Sequence, residues 1–198
     1  MSSYAMYYSY KTMGDVIIVI FDDKPATRSE KKGRVVVIYN NDDIIGYNIF
    51  NVKDIVKIKN EGIIYYPSKE LLSVINSILI NEGVKPLEDK EDSGYITAEV
   101  KSLKQINDEK TLVELDGGSL LHAVIKNQTL NVGDKVVVAK VDTRLADGTL
   151  VKETNMDDVI INAHICTNLE LGINEEETIL QLDKDVEVGK DFFTMEVR

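Results

Sequence analysis

The chain has 198 residues, 23 Lys and Arg against 34 Asp and Glu, a net charge of −11, and 43% hydrophobic with 29% charged residues. That balance argues against long disorder, and the length accommodates two cores of about 90 to 110 residues each. No run approaches the roughly 20 apolar residues that span a bilayer, and residues 1–10 lack the basic start and apolar centre of a secretory signal, so a cytoplasmic protein is expected.

Tyr4, Tyr7, Tyr8 and Tyr10 alternate imperfectly and read as a sheet edge, or else as a sticky dimer surface. Val16 to Phe21, Val35 to Tyr39, Ile44 to Phe50 and Ile55 to Ile58 are short β-branched or aromatic runs, the pattern of strands. Between the first two, the stretch 24–34 holds Lys24, Arg28, Lys31, Lys32 and Arg34 with Glu30 as its sole acid; a solvated loop is the plainer reading, and a grip on phosphates the sharper one. Asn40-Asn41-Asp42-Asp43 supplies a hairpin turn. A helix is predicted over 68–82: Ser68 is placed to cap it, Leu71, Leu72, Ile75, Ile78 and Leu79 share one face, and Gly83 and Pro86 stop it. The acidic run Glu88 to Asp92 reads as a linker, which sets a boundary near residue 90.

Beyond it, Ile96 to Val100, Leu112 to Leu115, Leu120 to Ile125, Val136 to Val141, Leu150 to Val151 and Val159 to Ile165 are strand-like, with turns at Gly117-Gly118, Gly133-Asp134 and Asp147-Gly148. The expected organisation is an α+β domain over 1–90 followed by an all-β barrel over 91–198. Residues 1–90 carry 12 bases and 12 acids and residues 91–198 carry 11 and 22, so the whole charge excess falls in the second half.

Candidate chemistry is sparse. Cys166, the one cysteine, excludes an intrachain disulfide and reads as a small buried side chain. His164 stands two residues before it on one strand face, but with His122 these make only three Cys or His where a structural zinc site uses four. Glu175-Glu176-Glu177 and Asp157-Asp158 read as solvated turns, the latter able to attract a basic partner. Phosphate-binding loops, dinucleotide fingerprints and nucleophile elbows are missing, so no catalytic residue, metal or cofactor is expected.

Three segments together carry a resemblance: Met13-Gly14-Asp15-Val16, Gly46-Tyr47-Asn48-Ile49-Phe50-Asn51, and Val132 through Val141. They resemble the YtpR-type tRNA-binding proteins of Gram-positive bacteria, over nearly the whole chain and in the family's order. That resemblance implies an N-terminal α+β domain followed by an OB-fold barrel of the EMAP type, the module also attached to methionyl- and phenylalanyl-tRNA synthetases. The barrel departs from the family's signatures. Where these have Gly-x-Val and His-Pro-x-Ala-Asp-Lys-Leu, this chain has Ala98-Glu99-Val100 and Ile106 through Leu112; His122 through Thr129 keeps one position of eight, Val124; an Arg-Gly-Val has become Asp157-Asp158-Val159. Cys166-Thr167-Asn168-Leu169-Glu170-Leu171 follows the last signature more closely.

The resemblance implies binding of tRNA or another structured RNA, without catalysis. Lys101, Lys104, Lys110, Lys126, Asn127, Arg144, Lys152 and Asn168 are the candidate contacts, chosen for side-chain chemistry near the signature segments. An acidic barrel repels a polyanion unless its bases cluster, and Tyr95, Phe192 and Phe193 are the only aromatics available for stacking. The alternative is a barrel that has lost RNA affinity and binds a protein partner or itself as a homodimer.

Overall fold

Runs of β-branched residues with alternate burial dominate the molecule, and the protein is mostly β. The computed structural model describes residues 4–58, 62–145, 149–156 and 158–195. The expected turn at Asp147-Gly148, and Asp157 of the acidic pair, lie outside them. The chain divides into two compact units, Met1–Glu91 and Asp92–Arg198.

Unit 1 contains β1 (Ala5–Tyr8), the single-turn α1 (Tyr10–Met13), β2 (Val16–Ile20), β3 (Arg28–Lys32), β4 (Val35–Asn40), β5 (Asp43–Phe50), β6 (Gly62–Ile64) and α2 (Lys69–Asn81). The strands form one antiparallel sheet in the order β3-β4-β5-β2-β1-β6. Asn41, with φ of 53°, turns β4 into β5 at the predicted hairpin. Helix α2 lays Leu71, Leu72, Ile75, Ile78 and Leu79 into a core shared with Met6, Ile17, Val19, Val35, Val37 and Ile49. Ser68 caps it by accepting the Leu71 amide at 3.2 Å. Ser68→Ala is expected to lower stability by about 1 kcal/mol, read from the urea midpoint.

Three expectations change here. The tyrosine-rich start is a strand inside the sheet and not at its edge: Tyr4 and Tyr8 are buried, and burial, with Asp89 and Tyr66 nearby, pushes the Tyr4 phenol up to about 12. Arg28–Lys32 is a strand and not a loop, pairing with β4 over five residues. Its charged side chains suit an edge, where they discourage unwanted strand addition; the Arg28 guanidinium lies 3.5 Å from the Tyr39 ring centre. Ile55 to Ile58 is not a strand. Asn51, at φ of 57°, ends β5, and the amides of Ile55 and Val56 both donate to the Val52 carbonyl, closing a turn.

Unit 2 is a barrel-like sheet. Strands β7 (Tyr95–Gln105), β8 (Lys110–Asp116), β9 (Leu120–Lys126), β10 (Lys135–Lys140) and β13 (Ala163–Ile165) run in the order β13-β10-β7-β8-β9. A small ribbon of β11 (Thr154–Met156) and β12 (Val159–Ile161) lies between β10 and β13 in the chain, and β14 (Gln181–Leu182) pairs with β10. The sheet nearly closes, because Asn162, just before β13, donates to the His122 carbonyl at 3.1 Å and accepts the His122 amide at 2.8 Å. Inside it Ala98, Val100, Val113, Leu115, Ala123, Val136 and Val138 are fully buried, as strand alternation requires. Residues 186–193 cover part of the outer face of β7: Thr97 donates to the Glu187 carbonyl at 2.7 Å, and Tyr95 meets Phe193 edge to face at 5.2 Å.

Candidate nucleic-acid interface

The outward face of the β7–β8–β9 meander brings three of the candidate lysines together. Lys110 stands directly opposite Lys126 in the β8–β9 register, and Lys104 opposite Leu112, which in turn faces Val124. Residues so opposed have Cβ atoms about 4.5 to 5.5 Å apart, and diagonal neighbours on the same face about 7 to 8 Å. The cationic end of this face is therefore Lys104, Lys110 and Lys126, beside an apolar step of Leu112 and Val124.

The turn that carries this end is built from local hydrogen bonds. The Asn107 side-chain oxygen accepts the amides of Glu109 and Lys110 at 3.0 and 2.9 Å. Asn127, exposed and at φ of 53°, donates its amide to the Glu109 carbonyl at 2.9 Å and so ties the end of β9 to the β7–β8 turn. Glu109 reaches Lys126 at 3.4 Å, with both side chains 62% exposed, a pairing that water screens. Two lysines directly opposed destabilise a ladder. Folding gains nothing from that juxtaposition, whereas a phosphate would.

Lys101 lies toward the other end of the same face. It donates to Glu99 at 2.7 Å and is 3.9 Å from Asp116, and the Glu99 hydrogen bond raises its pKa. With Glu114 next along β8, 3.9 Å from the His122 ring, that end is acidic. The face thus grades from cationic through apolar to acidic.

The remaining candidates separate. Lys152 is exposed on the segment before β11. Arg144 is buried, bridges Leu150, and its carbonyl accepts the Tyr95 hydroxyl at 2.7 Å. Asn168 is buried too, donating to both the carbonyl and the hydroxyl of Thr178 at 3.1 Å, so it braces a turn. Tyr95, Phe192 and Phe193 pack on one another. Tyr95 is 1% exposed and unavailable as a stacking surface.

His164 and Cys166 do not act as a pair. The His164 Nε2 lies 2.8 Å from Glu170, whereas Cys166 is fully buried, and burial pushes its thiol well up. A nucleophile or metal ligand needs the thiolate. Among the described residues no group of three His, Cys, Asp or Glu is arranged to hold a metal.

Two residues that the sequence reading passed over organise their surroundings. Glu170 accepts from the Thr167 amide and hydroxyl at 2.8 and 3.0 Å while meeting His164. Burial alone would raise its pKa, but the His164 and Thr167 hydrogen bonds hold it below the usual carboxylate value. In unit 1, both carboxylate oxygens of Asp15 accept the Lys53 amide at 3.0 and 3.1 Å, and the Asp15 carbonyl accepts the Asn51 amide. This joins two of the resemblance-bearing segments. Glu170 lies in a signature segment and Asp15 in another, which was the available signal.

A family described as a domain of unknown function, DUF4479, matches residues 22–88. The chain is 29% identical over 201 aligned positions to YtpR of Bacillus subtilis (strain 168), whose name gives it a provisional tRNA-binding role; the match covers 94% of this chain and 98% of that protein. Shorter matches are to phenylalanine–tRNA ligase beta subunits. In Blochmanniella floridana the match is 29% identical over 41% of this chain and 10% of the subunit, and in Malacoplasma penetrans (strain HF-2) 30% identical over 62% and 16%. Nearly the whole chain, both units included, is therefore similar to YtpR, and the resemblance carried by its motifs holds.

Proposed function

We propose that the chain binds tRNA or another structured RNA without catalysing a reaction, with unit 2 as an OB-fold barrel of the EMAP type and unit 1 as a YtpR-type α+β accessory domain. The observation that carries this reading is the match to YtpR over 94% of the chain, reinforced by the ligase beta-subunit matches. The strand succession β7-β8-β9 with β13-β10 returning to β7 fits an OB barrel, in which the face of the second and third strands and the loop between the first two bind oligonucleotides. Lys110 on the second strand and Lys126 on the third, with Lys104 beside them on the first and Asn127 just past the third, support this reading, with Lys101 and Lys152 as outlying cations; Arg144 and Asn168 are buried. Among the described residues no helix is long and apolar enough to cross a membrane.

Phosphate contacts release condensed counterions, so each one adds roughly 0.7 to 0.9 to the slope of log affinity against log salt. Replacing Lys104, Lys110 and Lys126 with Ala is expected to flatten that slope for tRNA by about 2 and to weaken binding at least tenfold at moderate salt. A filter-binding titration of the full chain at several salt concentrations measures both. Tight binding with an unchanged slope would move the interface elsewhere. The acidic end formed by Glu99, Glu114 and Asp116 favours the competing reading, a barrel that holds a protein. Absence of tRNA binding by the wild-type chain at low salt decides for it.

A further inference from the structure

Aromatic rings reach the surface of unit 1 at the end of the sheet where two of the resemblance-bearing segments meet. Six large hydrophobic residues among those described in unit 1 are exposed, and four of them gather there: Tyr10 at 48%, Met13 at 37%, Phe50 at 39% and Ile55 at 49%. Single exposed apolar side chains are ordinary on a protein surface, whereas a group of them marks a place of contact. Asp15 ties the group together. Its carbonyl accepts the amide of Asn51, the residue after Phe50, at 2.9 Å, and its carboxylate accepts the Lys53 amide at 3.0 and 3.1 Å. Val16 stands opposite Phe50 in the β2–β5 register, and the Gly14 amide closes α1 by donating to the Tyr10 carbonyl at 3.0 Å. The Lys53 ammonium lies 4.1 Å from the centre of the Tyr10 ring, a cation–π contact that fixes the ring while Tyr10 remains half exposed.

Cations border these rings. Arg34 donates from Nη1 to the Asn51 carbonyl at 3.2 Å, and Lys53 and Lys57 are exposed along the turn that follows. Asp15 and Glu82 direct carboxylate oxygens to the backbone amides of Lys53 and Arg34, and Asp54 is the one acid of the turn 51–57. We infer that this end of unit 1 is a second RNA contact that takes unpaired nucleotides, with bases stacked on Tyr10 and Phe50 and phosphates on Lys53 and Arg34. The inference rests on the RNA-binding reading and adds what unit 2 lacks, since the three aromatic residues there, Tyr95, Phe192 and Phe193, pack on one another. Every nucleobase has a π-face, so stacking of this kind accepts any sequence, and a neighbouring cation engages the phosphate. A nucleotide matches both the rings and the cations. An apolar protein surface laid on the same residues would bury the Lys53 charge without an anionic partner.

The probe is a short fluorescein-labelled oligoadenylate RNA, titrated with the full chain by fluorescence anisotropy at low salt. The wild type is expected to bind it, and Tyr10→Ala to weaken binding by about fivefold or more, the effect of losing one base–aromatic stack. Tyr10→Phe keeps the ring and is expected to bind within about twofold of the wild type. Phe50→Leu keeps apolar bulk without the ring, and is expected to weaken binding as Tyr10→Ala does while keeping the wild-type melting temperature. Should it melt early, Tyr10→Ala against Tyr10→Phe carries the comparison, because Tyr10 is the more exposed of the two rings. Lys53→Ala is expected to flatten the slope of log affinity against log salt by about 0.7. Ile44→Ala, at the opposite end of β5 and 40% exposed, is the control and is expected to leave binding unchanged. A wild type that binds tRNA but not the oligoadenylate overturns the inference and leaves the RNA reading standing; binding of neither removes both. Oligoadenylate binding that Tyr10→Ala leaves intact, or that Ile44→Ala abolishes, overturns the inference as well.

Discussion

Ile75→Ala is expected to lower the unfolding free energy by about 2 to 5 kcal/mol. Ile75 is fully buried on the central line of α2, with Leu71, Leu72, Ile78 and Leu79 beside it and the sheet beneath. Removing three carbons there forfeits their transfer free energy and leaves a cavity that the surrounding β-branched side chains, stiff at χ1, fill poorly. Urea unfolding should show a lower midpoint with an unchanged slope. Ile80→Ala, on the same helix but 60% exposed, serves as the control and should stay within about 0.5 kcal/mol. Equal effects from the two would mean that the buried stripe has been assigned to the wrong side of α2.

Glu170→Ala is expected to cost about 1 to 3 kcal/mol, because a half-buried carboxylate that receives the Thr167 amide, the Thr167 hydroxyl and the His164 ring leaves three groups unsatisfied when removed. The same bonds make stability depend on pH. They overcome the burial that would raise the Glu170 pKa and hold it below its ordinary 4.5, so the unfolded chain takes up this proton first as acid is added. The contribution is fully present above about pH 4.5 and is lost as pH falls through the depressed native value. Glu170→Gln keeps the shape without the charge. Its unfolding free energy should lack the part of the acid-side decline that the wild type shows. A wild-type decline that is unaltered in Glu170→Gln would assign the acid sensitivity to other carboxylates.

How far the sequence carries can be judged from particular elements. Helix α2 was legible to within a residue at each end, because a cap, an apolar stripe of period 3.6 and a stop all fall within one stretch. The Asn40–Asp43 hairpin was equally legible, since few residues besides Asn adopt the left-handed turn conformation seen at Asn41. Strand β3 was not. Its five residues Arg-Ser-Glu-Lys-Lys have no apolar alternation, and they form a strand because β4 offers a free edge. Ile55 to Ile58 has the composition of a strand and is a turn, because the left-handed Asn51 redirects the chain first. The candidate lysines were named from residue type alone. Register then collected Lys104, Lys110 and Lys126 at one end of a sheet, set Lys101 among acids, and turned Arg144 and Asn168 inward.

The amino-acid sequence by itself determined the periodicities, the caps and turns, the confinement of the −11 charge to the second half and the motif resemblance, because each is a property of residues near one another along the chain. Tertiary structure alone decided which strand ended at an edge, which side chains faced water, and which charges stood opposite one another. Those outcomes depend on pairings between residues tens of positions apart, where a shift of one residue would turn every side chain to the other face.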